Sequence, residues 1–474
     1  MLTGAQYLES LRDGRVSYVD GRRIDDLATD PLTRRAAAWV ARVYDAHHDP
    51  APGAVNPLLT APRSVDELRE RLPLMRRADM ITSTTWQSLM TLLTAAPTVA
   101  AAYPELGARA YRFVEDARRR DVRITECITD AKGDRAAPPA RQRDPDAYVR
   151  VVDRRDGGVV IRGAKLHITG ASLGHELLVM PTKRMKAGEE DYAVACAVPV
   201  DAPGVSTINT TYAPRAEDDR HFPFTRREQM PDCLVIFEDV FVPAERVFLD
   251  GQVELSALFA HSLGLWERLG GVSLMATEAD TLVGLAQLIA EANGLQRVEH
   301  IKEKISELVI YATLIRAGLE AAIAHCGTTA DGYVYPSELY TNAAKYHGAA
   351  EYNVMVRHLH DIAGGGVLTA PTIADLENDD VAELVEKYMT GHPDVGGEER
   401  IRLFHAIRDL TADAFGGWHL VTNVQSGGGL YAQRIVTRKH YDMEAAKALA
   451  REAAGYAPEN DGGRLAANAA TPSA

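Results

Sequence analysis

Apolar residues recur at helical spacing from Thr3 to about Asp121, with one break at Tyr18-Val19-Asp20-Gly21 that predicts a short strand and a turn. Ser64 followed by Glu67 predicts a capping box ahead of a charged amphipathic helix. Residues 82–118 continue the helical pattern, rich in Ala, Leu, Arg and Glu. The period changes near Ile124. Residues 147–154, 158–166, 176–182, 192–199 and 234–242 are β-branched runs that predict strands, and Asp156-Gly157-Gly158 predicts a hairpin. Short strands at this spacing predict a small barrel or sandwich. Beyond Leu255 the helical period returns over 276–291, 297–325, 333–362 and 398–414, lengths that suit a helix bundle. Gly364-Gly365-Gly366 and Gly427-Gly428-Gly429 interrupt it. The expected organisation is α+β: helical over 1–123, β-rich over 124–252, a helix bundle over 253–457, and a mobile tail over 458–474. Helices and strands come in blocks rather than in alternation. That argues against a doubly wound dinucleotide fold, and no G-x-G-x-x-G follows a strand.

The chain has 474 residues, beyond the roughly 250–300 at which single cores stop growing, so two or three packed regions are expected. Lys plus Arg is 52 against 66 for Asp plus Glu, a net charge of −14 that repels phosphate backbones and anionic lipid. No patch interleaves basic and aromatic residues, so no nucleic-acid partner is expected. Cys127, Cys196, Cys233 and Cys326 stand far apart without a C-x-x-C pair, which predicts reduced thiols rather than disulfides or a zinc ribbon. No stretch resembles a signal peptide or approaches the ~20 apolar residues of a membrane span, so a cytoplasmic protein without a membrane partner is expected.

Three segments could carry chemistry. Thr129-Asp130-Ala131-Lys132-Gly133-Asp134-Arg135 combines turn residues with two cations and could hold a pyrophosphate or a polar ring edge. A solvated charged turn explains it as well. Thr169-Gly170 ends a strand and could bond a flat cofactor, or simply turn the chain. Gly427-Gly428-Gly429 precedes a late helix, whose N-terminus is a natural anion site, but a flexible linker has the same composition. His358 and His360 are two residues apart on a predicted helix and point to different faces, so no metal site is expected there.

Taken together these segments resemble the 4-hydroxyphenylacetate 3-monooxygenase family, which also contains 4-hydroxybutyryl-CoA dehydratase. Tyr7-Leu8-Glu9-Ser10-Leu11-Arg12-Asp13-Gly14 and Arg42-Val43-Tyr44-Asp45 look like its start. Thr129–Arg135, Arg162-Gly163-Ala164-Lys165 and Thr169-Gly170 look like its middle. Asp361-Ile362-Ala363-Gly364-Gly365 and the glycine turn with Ala432-Gln433-Arg434 look like its end. The resemblance spans about residues 5–455. It implies an acyl-CoA-dehydrogenase-like fold with a helical N-terminal domain, a β-barrel-like middle and a C-terminal four-helix bundle. It also implies FAD, used as FADH2, between the middle and the last domain, in a homotetramer or homodimer. By the same resemblance Thr129, Lys132, Gly133, Asp134, Arg135 and Thr169 contact the flavin, as do Gly427, Gly428 and Gly429, in the last case from the same or a neighbouring subunit.

The two branches of that family need different residues. The dehydratase branch holds an iron–sulfur cluster through three cysteines and a histidine, and the aligned positions here are Thr85, Leu89, Leu265 and Val272, none a ligand. The texture of Asp130–Arg135 and Met180-Pro181-Thr182 is nonetheless closer to this branch. The monooxygenase branch takes reduced FAD from a separate flavin reductase and uses O2 on a phenol. Where it carries a phenol-binding histidine this chain has Glu126. The expected function is a two-component monooxygenase acting on an aromatic or related small molecule. The alternative is a cluster-free isomerase or dehydratase acting on an acyl thioester. Glu126 is the candidate base, unless it pairs with Arg123 or another arginine. His167 could donate to the flavin ring or be structural. Trp86 and Trp266 could line a flat substrate pocket or belong to the core.

Overall fold

The computed structural model describes residues 1–210 and 218–456, so the tail expected over 458–474 lies outside the described residues. The chain begins with α1 (Gly4–Ser10), where Thr3 and Gln6 form a complete capping box. Strands β1 (Val16–Val19) and β2 (Arg22–Arg23) follow around the turn at Asp20-Gly21. After α2 (Arg34–His47) comes α3 (Val65–Arg77). There Ser64 accepts from the Glu67 backbone as expected, but the Glu67 carboxylate turns to the Arg63 amide, leaving only half of the box. The helix expected over 82–118 is two helices, α4 (Met80–Ala102) and α5 (Pro104–Arg120). Pro104 has no N–H to continue the ladder and sits instead at the first turn of the second helix.

Strands β3 (Ile124–Cys127), β4 (Arg150–Arg155), β5 (Gly158–Thr169), β6 (Glu176–Val179), β7 (Val194–Pro199) and β8 (Val205–Thr210) precede the short helix α6 (Thr225–Glu228). They are followed by β9 (Asp232–Pro243) and β10 (Val247–Asp250). They form two sheets, of order β2-β1-β8-β9-β5-β4 and β10-β7-β6-β3. Val151, Ile161, Val235 and Phe237 of one sheet and Leu177, Val179, Cys196 and Val198 of the other share one buried core, so the strands form a sandwich. Strands β3, β8 and β10 were not anticipated as separate elements. They are short, and their neighbours rather than their own pattern define them. β1 pairs in parallel with β8, which ties the N-terminal segment to the larger sheet.

The helical remainder begins with α7 (Val253–Ala292), α8 (Glu299–Ala324) and α9 (Glu338–Ala363). α9 starts later than the pattern over 333–362 suggests, because Val334-Tyr335 form a two-residue strand instead. It stops at Gly364, whose φ of +76° few other residues adopt. Short helices α10 (Gly366–Thr369), α11 (Ile373–Leu376) and α12 (Ala382–Met389) lead to α13 (Gly397–Thr411) and α14 (Ala414–Gln425). The glycine turn separates α14 from α15 (Leu430–His440), and α16 (Met443–Ala453) ends the described chain. By length and composition alone α7 could cross a bilayer, contrary to expectation. Its apolar positions, among them Leu263, Leu269, Val272 and Met275, are buried in the core shared with α4, α8 and α9.

Candidate functional site

A cleft of about 1640 Å³ opens between the strands and the helices α4, α7 and α14. It exceeds the ~300–1,000 Å³ usual for small-ligand pockets, so a large cofactor and a substrate could share it.

The strand wall is fixed by buried polar bonds. Lys165 and Asp130 are 1% and 2% exposed and pair at 2.8 Å. Lys165 Nζ also donates to the carbonyls of Ile128 and Met180. Asp130 accepts from the Val149 amide and the Thr182 hydroxyl. Every strong donor and acceptor of this buried pair is therefore used, the condition under which a buried ion pair holds. The result is a rigid base for the loop that follows, from which Thr129, Lys132 and Arg135 face the cleft. Gly133 and Asp134 do not line it. Asp134 caps the loop by accepting from the Ala136 amide, and the Gln142 side chain lies where a Cβ on Gly133 would be. At the far end of β5, the Thr169 hydroxyl donates to Asp232 Oδ1 at 2.5 Å and Trp418 Nε1 donates to Asp232 Oδ2 at 2.7 Å. His167 sits at a register shift with φ +61°, exposed, on the rim of the same cleft.

Strand β3 and the helices across the cleft carry titratable groups with open valences. Glu126, on β3, faces the cleft, and its Oε1 has no hydrogen-bond partner among the described residues. Burial, and then the like charge of Glu267, hold its carboxyl well above the usual range, while Ser88 pulls weakly the other way. Arg123 does not neutralise it. That guanidinium pairs with Asp121 at 3.2 Å and stacks over the Tyr44 ring. On α14, His419 pairs with Glu278 at 2.6 Å through Nε2 and with the Tyr352 hydroxyl through Nδ1. Burial pulls the imidazole down, but Glu278 outweighs it and holds His419 above its ordinary value. Burial lowers Lys345 to about 8 despite Glu267 and Glu278 nearby, and its Nζ donates to the Asn423 carbonyl.

The glycine turn closes one end of the cleft. Gly427 and Gly428 have φ +72° and +81°. Arg268 Nε donates to the Gly427 carbonyl at 2.7 Å, and its buried Nη1 has no partner among the described residues. A Cβ on Gly427 would lie 2.7 Å from Arg268 Cγ. All three glycines line the cleft.

The fold thus gathers Glu126, Thr129, Lys132, Arg135, His167, Thr169, Trp86 and Gly427–Gly429 around one cavity. Trp266 is not part of its lining. It is 1% exposed, donates to Thr94 Oγ1 at 2.9 Å, and meets Trp86 edge-on. Glu267, Arg268, Glu278 and His419 were not foreseen. A signal existed: Gly264, Glu267, Arg268, Gly271 and Glu278 recur at helical spacing along a largely apolar helix, and all face the cleft.

The positions aligned with cluster ligands do not fit a cluster. Thr85 bonds Ile81 O and the Ile124 amide, while Leu89, Leu265 and Val272 are buried aliphatics. The cleft does fit FAD. It has the volume, a Cβ-free turn, cations at Lys132 and Arg135, and an orphaned donor at Arg268.

A sandwich against a helix bundle, with a cofactor-sized cleft at the seam, is the architecture of one group of flavoproteins. The chain belongs to the 4-hydroxyphenylacetate 3-hydroxylase family: the N-terminal profile of that family matches residues 3–249 and its C-terminal profile residues 256–455. It is 27% identical to 4-hydroxybutyryl-CoA dehydratase/vinylacetyl-CoA-Delta-isomerase of Clostridium aminobutyricum, covering 96% of this chain and 99% of that one. It is 29% identical to the 4-hydroxyphenylacetate 3-monooxygenase oxygenase component of Thermus thermophilus, covering 87% and 89%. Among solved structures, the oxygenase component of 4-hydroxyphenylacetate 3-monooxygenase complexed with FAD is similar with a TM-score of 0.84. That match is at 27% identity over 96% of this chain and 98% of that one.

Proposed function

We propose that the chain is the oxygenase of a two-component flavin-dependent monooxygenase that hydroxylates an aromatic or related small molecule. Its partner is a separate flavin reductase, and it works as a homotetramer or homodimer. The observation that carries this reading is the FAD-sized cleft with a carboxyl, Glu126, on its wall whose buried Oε1 has no partner among the described residues. Reduced FAD bound there would supply the electrons that activate O2. Thr129, Lys132, Arg135 and Thr169 would hold it from the strand wall, and Gly427–Gly429 with Arg268 from the glycine turn. Gly133 and Asp134 shape the loop rather than touch the cofactor. Trp418 supplies flat apolar surface against which an aromatic substrate could lie, and Trp86, 0% exposed, packs directly behind the wall and keeps water from it. Glu126 would take the proton of the substrate hydroxyl and release it again, a role suited to a carboxyl whose pKa is raised. His167 stands on the rim and would act as a donor toward bound cofactor. Tyr431, Ile435, Tyr441 and Leu449, exposed on and beside α15 and α16, support self-association.

A second reading is a cluster-free isomerase or dehydratase acting on an acyl thioester. It is favoured by Arg42, Arg76 and Arg77 on the cleft wall, cations suited to the phosphates of such a substrate. One experiment separates the two. The full-length chain with reduced FAD is mixed with 18O2 and a panel of phenols, including 4-hydroxyphenylacetate and 4-nitrophenol, and in parallel with vinylacetyl-CoA without oxygen. Singly 18O-labelled product supports the monooxygenase. Double-bond migration without oxygen, with no labelled phenol product, overturns it.

A further inference from the structure

Away from the cleft, three helices bring together side chains far apart in the sequence. His261 lies in the first turns of α7, Glu338 opens α9, and His440 ends α15. His261 Nε2 is 2.6 Å from Glu338 Oε1. The rings of His261 and His440 are near-parallel, at 15°, with centroids 6.2 Å apart. One nitrogen from each histidine and one carboxylate oxygen all lie within 4.8 Å of one another. The second oxygen of Glu338, Oε2, is buried and has no hydrogen-bond partner among the described residues. An oxygen in that state, in a carboxylate already paired with an imidazole, calls for a further positive partner.

We propose that His261, Glu338 and His440 bind a divalent transition metal of the zinc class. Two imidazoles and one carboxylate match the three protein ligands of a tetrahedral zinc site, with water in the fourth position. The nitrogen donors favour zinc over calcium or magnesium, which prefer oxygen throughout. Around a tetrahedral zinc with bonds of ~2.0–2.1 Å, ligand atoms stand roughly 3.4 Å apart. Closing the present triangle to that size takes a movement on the order of 1 Å. His440, the exposed member of the three, is the side chain placed to make it. The metal would staple α15 to α7 and α9. Since α15 begins at the glycine turn and Arg268 of α7 holds that turn, the site would stiffen one end of the cleft without entering it.

The test uses the full-length chain, stripped by chelator and titrated with Co2+ and then Zn2+. One Co2+ per chain with the visible absorption of tetrahedral coordination is expected, displaced by Zn2+ and raising the melting temperature. His261→Ala and His440→Ala should each weaken binding at least tenfold, whereas His358→Ala, whose imidazole pairs with Glu307, should not. Should His261→Ala fail to fold, Glu338→Gln and the exposed His440→Gln carry the same test. Binding below one equivalent, or binding that is unchanged in the His440 and Glu338 variants, would overturn the proposal. Neither readout involves flavin or turnover, so the outcome is independent of the monooxygenase reading.

Discussion

On the strand wall of the cleft, Lys165 spends its ammonium on Asp130 and two carbonyls, and Asp232 is held by Thr169 and Trp418. On β3 and on α7 across the cleft, Glu126 Oε1, Glu278 Oε2 and Arg268 Nη1 are buried beside the same cavity with no partner among the described residues. Both sets of groups are polar, yet their chemistry differs. Saturated groups fix positions, because moving any of them leaves a buried donor or acceptor unpaired. Unsaturated ones carry a standing cost that a ligand or a proton removes, and such groups gather at functional sites. The comparison assigns placement to the saturated groups and proton chemistry to the unsaturated ones.

The assignment is most open to attack at Lys165. Replacing it with Met leaves Asp130 buried without its cation, which should cost about 3–5 kcal/mol. Chemical denaturation would read that loss. Flavin affinity should fall with it, as the loop carrying Lys132 loses its base. A variant as stable as the parent would mean that the pair is not what holds this wall.

Glu126→Gln comes next. It keeps the shape of the side chain and removes its acidity, so turnover should fall by about 10²–10³-fold, within the range of a lost general acid–base group, while FAD binding is unchanged. Stability should move the other way. The folded pKa of Glu126 lies above its unfolded value, so its contribution is fully present below the unfolded pKa and is lost as pH rises through the folded one. The variant has no such loss. Its advantage over the parent should grow with pH above the unfolded value, by at most about 1.4 kcal/mol per pH unit. Melting curves from pH 5 to 9 measure it, and parallel curves would show that the carboxyl does not titrate in isolation.

A smaller effect is expected at the turn joining the walls. Gly427→Ala puts a Cβ 2.7 Å from Arg268 Cγ at a φ of +72°, so Arg268 must move and its bond to the turn is lost. FAD affinity should drop by about tenfold, or ~1.4 kcal/mol, with little effect on the turnover of the loaded enzyme. Isothermal titration separates the two quantities.

How much of this was legible in the sequence follows the same division. The strand wall was visible because loops announce themselves: Asp-Ala-Lys-Gly-Asp-Arg and Thr-Gly are compositional breaks, and family resemblance gave them meaning. Glu126 emerged only by its position against a family pattern. The helix wall was hidden. Glu267, Arg268, Glu278 and His419 sit in helices among many apolar positions, and the pairing of His419 with Glu278 joins α14 to α7 across more than a hundred residues. Spacing within one helix could have exposed the stripe on α7. No pattern within a segment could have revealed its partners. The break at Pro104 and the extra strands belong to a further kind, features set by local backbone chemistry or by neighbours and invisible to a count of apolar positions.

The two indoles give the finest division, because they touch one another but face different surroundings. Trp86, itself 0% exposed, stands directly behind the cleft wall and donates to the Thr60 carbonyl. Trp266, packed edge-on against it, donates to Thr94 and reaches no part of the cavity surface. Trp266→Phe therefore removes a buried hydrogen bond and some packing. It should lower stability by about 1–2 kcal/mol while leaving KM within twofold. Trp86→Phe should lower stability by a similar amount and in addition raise KM several-fold, since it removes the packing directly behind the wall that a flat substrate meets. Equal shifts in KM would mean that the inner indole transmits its packing to the cavity through the outer one, and the boundary between core and site would then fall one layer deeper than Trp86.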